Sequence, residues 1–143
     1  MSEQQQNSDL ESQNTETFNS QPEIPELYSK NLILVFAIVF STLFAAVLLI
    51  LNLRSLSKRN AGLQVLIFTI LYLIATGIVI QSFNLQPGLT VIANVIGAAI
   101  LNEYFWNKHI GSDLEYKKKG WMKPLMIALL IALSVFFLLM MSM

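Results

Sequence analysis

Long apolar segments alternate with short polar ones along most of this chain. Uncharged, apolar-rich stretches cover residues 31–53, 62–83, 89–101 and 124–143. A helix needs about 20 apolar residues to cross a bilayer, because each residue adds only about 1.5 Å along the helix axis. The first, second and fourth stretches reach this length, so each of them predicts a transmembrane helix.

The third apolar stretch is too short to cross a bilayer by itself. It has thirteen residues, and Asn94 within it lowers its tendency to insert. It becomes long enough only if the helix continues through residues 102–106. We therefore expect a helix over about 89–106 that inserts because it packs against its neighbours.

These patterns predict an all-α integral membrane protein with a single transmembrane domain, residues 30–143. Its four transmembrane helices are expected at about 31–53, 62–83, 89–106 and 124–143.

The first 29 residues have a different composition. They are rich in Gln, Asn, Ser, Thr and Glu, and such a segment buries too little apolar surface to offset the entropy lost on ordering. We expect residues 1–29 to form a disordered acidic tail. The alternative is a recognition segment around Phe18 or residues 24–28.

The distribution of charge is more informative than the net charge, which is zero. Only 13% of the residues are charged, against about 25% in soluble domains. Six of the nine acidic residues precede residue 27. The chain contains no cysteine, which excludes disulfides, thiolate metal sites and cysteine nucleophiles.

The basic residues predict the orientation, because lysine and arginine concentrate in cytoplasmic loops. Eight of the nine lie in segments 54–60 and 102–124. Four spans place both segments on one side, whereas three spans with a re-entrant third stretch divide the basic residues six against three. We therefore expect loops 54–60 and 107–123 in the cytoplasm and both termini outside a bacterial inner membrane. The acidic tail opposes this arrangement, because it would have to be translocated.

Glu103 is the acidic residue that adjoins an apolar stretch. Ionisable groups inside a membrane are functional candidates, because their desolvation must be offset. Glu103 is thus a candidate transport carboxylate, with Asn94 and Asn102 lining the path. The alternative is a position at headgroup depth, beside the aromatic residues 104–106.

His109 is the single histidine, and it has no partner at a metal-ligand spacing in the sequence. We therefore expect neither a metal site nor a cofactor.

The third polar loop, residues 107–123, is a candidate surface for contact with a lipid or a partner protein. Each basic residue near an anionic leaflet contributes about 1 kcal/mol to binding. The alternative is that this cluster only anchors the topology. The candidate contact residues are Lys117, Lys118, Lys119, Trp121 and Lys123.

Small residues recur at intervals of four in three of the apolar stretches, and this spacing lets membrane helices approach closely. These candidate packing residues are Ala37, Ser41, Ala45, Ala93, Gly97, Ala128 and Ala132. More polar faces are expected on the third helix, at Asn94, Ala98 and Asn102, and on the second, at Thr69, Tyr72 and Thr76.

Recognisable enzyme motifs are absent from the sequence: there is no phosphate-binding glycine loop, paired-histidine zinc helix or serine elbow. The sequence therefore predicts a non-enzymatic accessory, scaffold or interaction subunit. Its expected partners are membrane lipids and either another membrane protein or a second copy of itself, and not nucleic acid. The alternative function is a small oligomeric transporter or channel subunit that uses Glu103.

Two parts of the chain carry a resemblance to a known family. The first runs through Tyr28-Ser29 to Asn52, Arg54, Leu56, Lys58 and Ala61, and the second is the Tyr-Phe-Trp-Asn-Lys run at residues 104–108. In these positions the chain resembles a family of small four-helix bacterial integral membrane proteins with no known activity. The resemblance implies an architecture only.

Overall fold

A computed structural model describes residues 23–83, 86 and 88–142. These residues are mostly helical, as the apolar pattern predicts. The helices are α1 (Lys30–Val39), α2 (Thr42–Ser55), α3 (Arg59–Ser82), α4 (Gly88–His109) and α5 (Met122–Ser142), and the two short strands are β1 (Glu26–Leu27) and β2 (Lys117–Lys118). By length and composition, α3, α4 and α5 are able to cross a membrane.

The first apolar stretch folds into two helices instead of one. Helix α1 ends at Val39, the backbone of Ser41 is extended (φ 172°, ψ 168°), and α2 begins at Thr42. The two helices are antiparallel, because Tyr28 before α1 lies against Asn52 near the end of α2. The Tyr28 N–H donates to Asn52 Oδ1 at 2.7 Å, and Asn52 Nδ2 donates to the Tyr28 carbonyl at 2.8 Å.

The sequence-based prediction of one transmembrane helix over 31–53 is therefore wrong. Helices α1 and α2, which we call the apolar hairpin, are 10 and 14 residues long, or about 15 and 21 Å at 1.5 Å per residue. The chain enters and leaves the hairpin at the same end of the molecule. This stretch contains neither Gly nor Pro, the residues that commonly mark a helix break, so the sequence gives no local sign of the break.

Helices α3 and α4 form the long antiparallel pair of the fold. A short turn that includes Ser57, at φ 60°, reverses the chain between α2 and α3. Helix α4 continues beyond residue 101 through a π-helical segment, Ile100–Trp106, and ends at His109. The prediction that the third stretch reaches spanning length by continuing its helix is thus confirmed. The Tyr72 hydroxyl donates to the Ala93 carbonyl at 2.7 Å and joins α3 to α4.

Among the described residues, helix α5 packs against the rest of the molecule only near its start. Pro124 and Ala128 are buried, and the helix is exposed from residue 129 to 142. Ala128 therefore packs as its spacing predicts, whereas Ala132 lies on exposed surface.

The chain is ordered before residue 30, contrary to the predicted extent of the disordered tail. Glu26 and Leu27 pair in parallel with Lys117 and Lys118, and Leu27 and Tyr28 are buried. The tail prediction for residues 1–22 lies outside the described residues.

The core lies between the apolar hairpin and the C-terminal half of α4. Its largest fully buried apolar side chains are Trp106, Leu27, Ile33, Leu49, Leu53, Leu101 and Val65. Trp106 is only 2% exposed, so its ring packs within the protein. Tyr104 is exposed, in contrast to the buried Phe105 beside it.

Candidate functional site at the basic end

One end of the helix bundle collects all nine basic residues of the chain. This basic end consists of residues 23–30, residues 54–60 and residues 103–123. Side chains tie the three segments together, since Lys30 Nζ donates to Asn107 Oδ1 at 2.8 Å and Lys58 Nζ donates to the carbonyl of His109. The fold thus brings Lys30 to the side that carries the two basic loops.

The two short strands fix the third loop to the start of the hairpin. The Lys117 N–H donates to the Pro25 carbonyl at 3.0 Å, and the Lys119 N–H donates to the Leu27 carbonyl at 2.8 Å. Lys117 Nζ also lies 3.6 Å from the carboxylate of Glu26. Part of the predicted lipid-contact cluster is therefore engaged within the protein.

The other predicted contact residues of the loop have freer surroundings. Lys118 and Lys123 are exposed, and Trp121 is 56% exposed. Lys119 lies with its Nζ 5.3 Å from the centre of the Tyr28 ring. The exposed members face outward from the basic end and are accessible to a lipid or a protein partner.

Glu103 lies on the surface of the basic end. Its side chain is 74% exposed, with Oε1 3.9 Å from Lys30 Nζ, and Asn107 Nδ2 donates to Oε2 at 3.3 Å. Exposed ion pairs of this kind contribute about 0–1 kcal/mol. Glu103 is therefore an exposed carboxylate with one weak ion pair, outside the packed core.

Asn102 holds α4 against the start of α1. Its Nδ2 donates to the Lys30 carbonyl at 2.9 Å. Its Oδ1 is buried and accepts no hydrogen bond from any described residue. The Asn102 side chain thus links α4 to α1 through its Nδ2 atom.

A cleft opens between the start of α3 and the end of α4. It has a volume of about 480 Å³, and its lining residues include Lys58, Arg59, Lys108 and His109. Within the described part of the chain, no carboxylate forms an ion pair with any of these four side chains. We call this the basic cleft, and its unbalanced positive charge favours an anion.

A second polar group lies deep in the apolar part of the molecule, at the tip of the hairpin. The Thr42 N–H and hydroxyl both donate to Asn94 Oδ1, at 3.3 and 3.0 Å. Gly97 lies against Thr42 and Tyr72, and a Cβ at position 97 would fall 2.6 Å from Thr42 Cγ2. Thr42, Tyr72, Asn94 and Gly97 form what we call the hairpin-tip cluster.

The predicted packing residues are used by the fold, but in another arrangement. Ala37 and Ala45 are buried on opposite arms of the hairpin, and Ser41 lies at the break between them. They therefore do not form one helix face. Ala93 and Gly97, by contrast, do share a face of α4 that meets α3 and the hairpin.

Sequence reasoning missed the basic cleft, because Arg59 and Lys108 are 49 residues apart. Only the antiparallel pairing of α3 with α4 places the start of one helix beside the end of the other.

Within residues 23–83, 86 and 88–142, no group of three or more His, Asp or Glu side chains is arranged to hold a metal ion. Comparison with protein-family models, with curated proteins and with solved structures finds no match for this chain.

Proposed function

We propose that this protein is a non-enzymatic accessory or scaffold subunit of a bacterial inner membrane, with the basic end as its interaction surface. The observation that carries the proposal is the separation of polar and apolar surface. Charged side chains gather at the basic end, whereas the polar groups deeper in the described bundle, Thr42, Tyr72 and Asn94, hydrogen-bond to one another or to backbone. This arrangement supports a packing role for the deep polar groups.

We further propose three spans, α3, α4 and α5, preceded by a re-entrant hairpin. The hairpin returns the chain to its starting side, so all nine basic residues fall on one side and none on the other. The earlier four-span arrangement left Lys30 on the opposite side. The positive-inside rule therefore favours the new arrangement, with the basic end in the cytoplasm. The acidic tail then stays in the cytoplasm and needs no translocation.

The depth of the hairpin follows from its contacts with α4. The start of α1 lies level with Asn102, and its tip lies level with Asn94. Eight residues of helix between these positions correspond to about 12 Å, which is less than half of a hydrocarbon core of about 30 Å. The hairpin therefore enters the membrane without crossing it.

Cysteine-accessibility mapping tests this topology, and the cysteine-free chain provides a clean background. Single cysteines are placed at Ser8, Ser57, Ser82 and Ser112. We expect an impermeant thiol reagent to label only position 82 from outside the cell. Labelling of position 8 from outside, together with position 82, would instead support four spans.

Co-purification from mild detergent tests the scaffold role. Trp121 lies at the basic end and Phe83 at the opposite end of α3, and both are exposed aromatic residues. We expect Trp121→Ala to lose a partner that Phe83→Ala retains. Recovery of wild-type protein only as a monomer without any partner would refute the proposal.

The alternative is a small oligomeric transporter or channel subunit that uses Glu103. One observation favours it: the helix break at Ser41 lies within the apolar part of the molecule, and broken helices of this kind occur at transport sites. Substrate flux in vesicles, compared between wild type and Glu103→Gln, tests this alternative. Equal flux in the two proteins would exclude a role for Glu103.

A further inference from the structure

We propose that the basic cleft binds the phosphate headgroup of an anionic phospholipid, with one acyl chain in the groove between α2 and α3. This inference goes beyond the scaffold role, because it assigns a ligand of defined chemistry to the cleft between the start of α3 and the end of α4. It relies on the basic end facing a membrane surface and needs no protein partner.

The charge of the cleft is the first observation. Lys58, Arg59 and Lys108 line it together, and the ion pairs of the described residues involve other lysines, Lys30 and Lys117. Three neighbouring cations without a carboxylate repel one another, and a bound phosphate would reverse that cost. Arg59 also offers a planar fork of N–H donors that matches phosphate oxygens.

The backbone at the start of α3 is the second observation. Lys58, at the N-cap position, makes no side-chain hydrogen bond to the first turn. Arg59, Asn60 and Ala61 follow it and line the cleft. The first amide groups of a helix lack partners within that helix, and the helix dipole favours an anion there.

His109 adds a third observation on the opposite wall. Its ring stacks near Phe105, with 6.1 Å between ring centres, and its Nε2 is buried without a hydrogen-bond partner among the described residues. An unpaired buried nitrogen is costly. Because His109 lines the cleft, a phosphate oxygen bound there would offer its imidazole a hydrogen-bond acceptor.

The adjoining groove identifies the ligand as a lipid and not as a free phosphate. It has a volume of about 310 Å³ and shares Lys58 and Arg59 with the basic cleft. From these two residues it continues along apolar side chains, Ile50, Leu63 and Leu66. A headgroup held by Arg59 would therefore have its acyl chain over an apolar surface, whereas inorganic phosphate would leave that surface unused.

Native mass spectrometry of the full chain, released from bilayers of mixed phosphatidylglycerol and phosphatidylcholine, tests the proposal. We expect wild type to retain phosphatidylglycerol in preference to phosphatidylcholine. The double variant Arg59→Gln/Lys108→Gln should bind phosphatidylglycerol about 30-fold more weakly, the factor for two headgroup contacts.

The comparison variant is Lys118→Gln/Lys123→Gln, which removes the same charge from exposed lysines of the third loop. These lysines lie outside the cleft, so we expect a loss of affinity several-fold smaller than in the cleft variant, where Arg59 also donates hydrogen bonds to the phosphate. Equal losses in the two double variants would overturn the proposal and indicate general attraction of a basic surface. If the cleft double variant does not fold, the single variants Arg59→Gln and Lys108→Gln, both at exposed side chains, provide the same comparison with Lys118→Gln.

Competition separates the two possible sources of phosphate. A monoacyl phosphatidylglycerol should displace the bound lipid, whereas inorganic phosphate at the same concentration should not. Equal displacement by inorganic phosphate would overturn the lipid assignment and identify a site for soluble phosphate.

Discussion

Replacing Gly97 by alanine tests how the hairpin tip packs against α3 and α4. The added Cβ would lie 2.6 Å from Thr42 Cγ2, 2.7 Å from Thr42 Oγ1 and 2.9 Å from Tyr72 Cε1. Thr42 is fully buried and short, so it has no flexible end that moves aside easily. Its displacement would also disturb the hydrogen bonds to Asn94.

Two opposing effects determine how much stability Gly97→Ala loses. Alanine is favoured over glycine in a helix by about 1 kcal/mol. Overpacking costs about 1–3 kcal/mol, and each weakened hydrogen bond within a membrane costs roughly 0.6 kcal/mol. We therefore expect Gly97→Ala to lower the free energy of unfolding by about 1–3 kcal/mol, since the clash exceeds the gain in helix propensity.

Unfolding in mixed detergent micelles, followed by circular dichroism, measures this change. Gly77 on α3 is the matched control, because a Cβ there meets nothing within 4 Å. Gly77→Ala should retain or slightly raise stability. Adding Thr42→Ala to Gly97→Ala removes both close atoms of Thr42, so the double variant should be more stable than the sum of the two single effects predicts. If Gly97→Ala is as stable as Gly77→Ala, the close approach of the hairpin tip is refuted.

Three further changes examine the hairpin base, the core and the surface. Asn52→Leu should lower the free energy of unfolding by about 1–3 kcal/mol, because it leaves the buried polar backbone of Tyr28 without partners. The control is Asn60→Leu, at an exposed side chain. Equal stabilities of the two variants would contradict the role of Asn52. Trp106→Ala should lower the free energy of unfolding by about 3–5 kcal/mol. Trp121→Ala, at an exposed side chain, should lower it by less than about 1 kcal/mol. Similar losses in the same unfolding assay would indicate that both rings lie at the membrane interface. Glu103→Gln should change the free energy of unfolding by less than about 0.5 kcal/mol, because its ion pair is exposed, and a larger loss would show that the carboxylate is buried in the membrane-inserted protein.

Apolar length alone predicts α3 and α5, and it fails at the first stretch for a physical reason. Hydropathy reports how favourably a segment leaves water, and two short antiparallel helices bury the same side chains as one long helix. The choice between them depends on partners distant in sequence. Asn52 pairs with Tyr28, and Thr42 pairs with Asn94 across 52 residues. A single sequence reveals these residues as polar interruptions without showing which of them meet.

The same limit applies to the candidate site. The third loop is prominent in the sequence, because its basic and aromatic residues are contiguous. The basic cleft combines residues 57–61 and Gln64 with Lys108 and His109, and the two groups become neighbours only when α3 and α4 pair. Trp106 shows that residue type does not give the surroundings of a side chain, since a tryptophan two positions from a lysine is typical of a membrane interface. Here it is covered by Lys30, 5.9 Å from the ring centre, and by the Tyr116 ring, 5.6 Å away.

The break in the hairpin is feasible in an apolar environment because the fold supplies partners for its backbone. Irregular backbone is tolerated at membrane depth only where protein or water surrounds it. The Phe40 and Ser41 N–H groups both donate to the Phe36 carbonyl, and the Thr42 N–H donates to Asn94 Oδ1. Asn94 therefore acts as a cap that a neighbouring helix supplies to the start of α2. This role gives a reason for a polar residue in a stretch that is already short for a membrane span. In the proposed membrane arrangement, insertion of α4 and stability of the hairpin depend on each other, so we expect the two to form in one cooperative step.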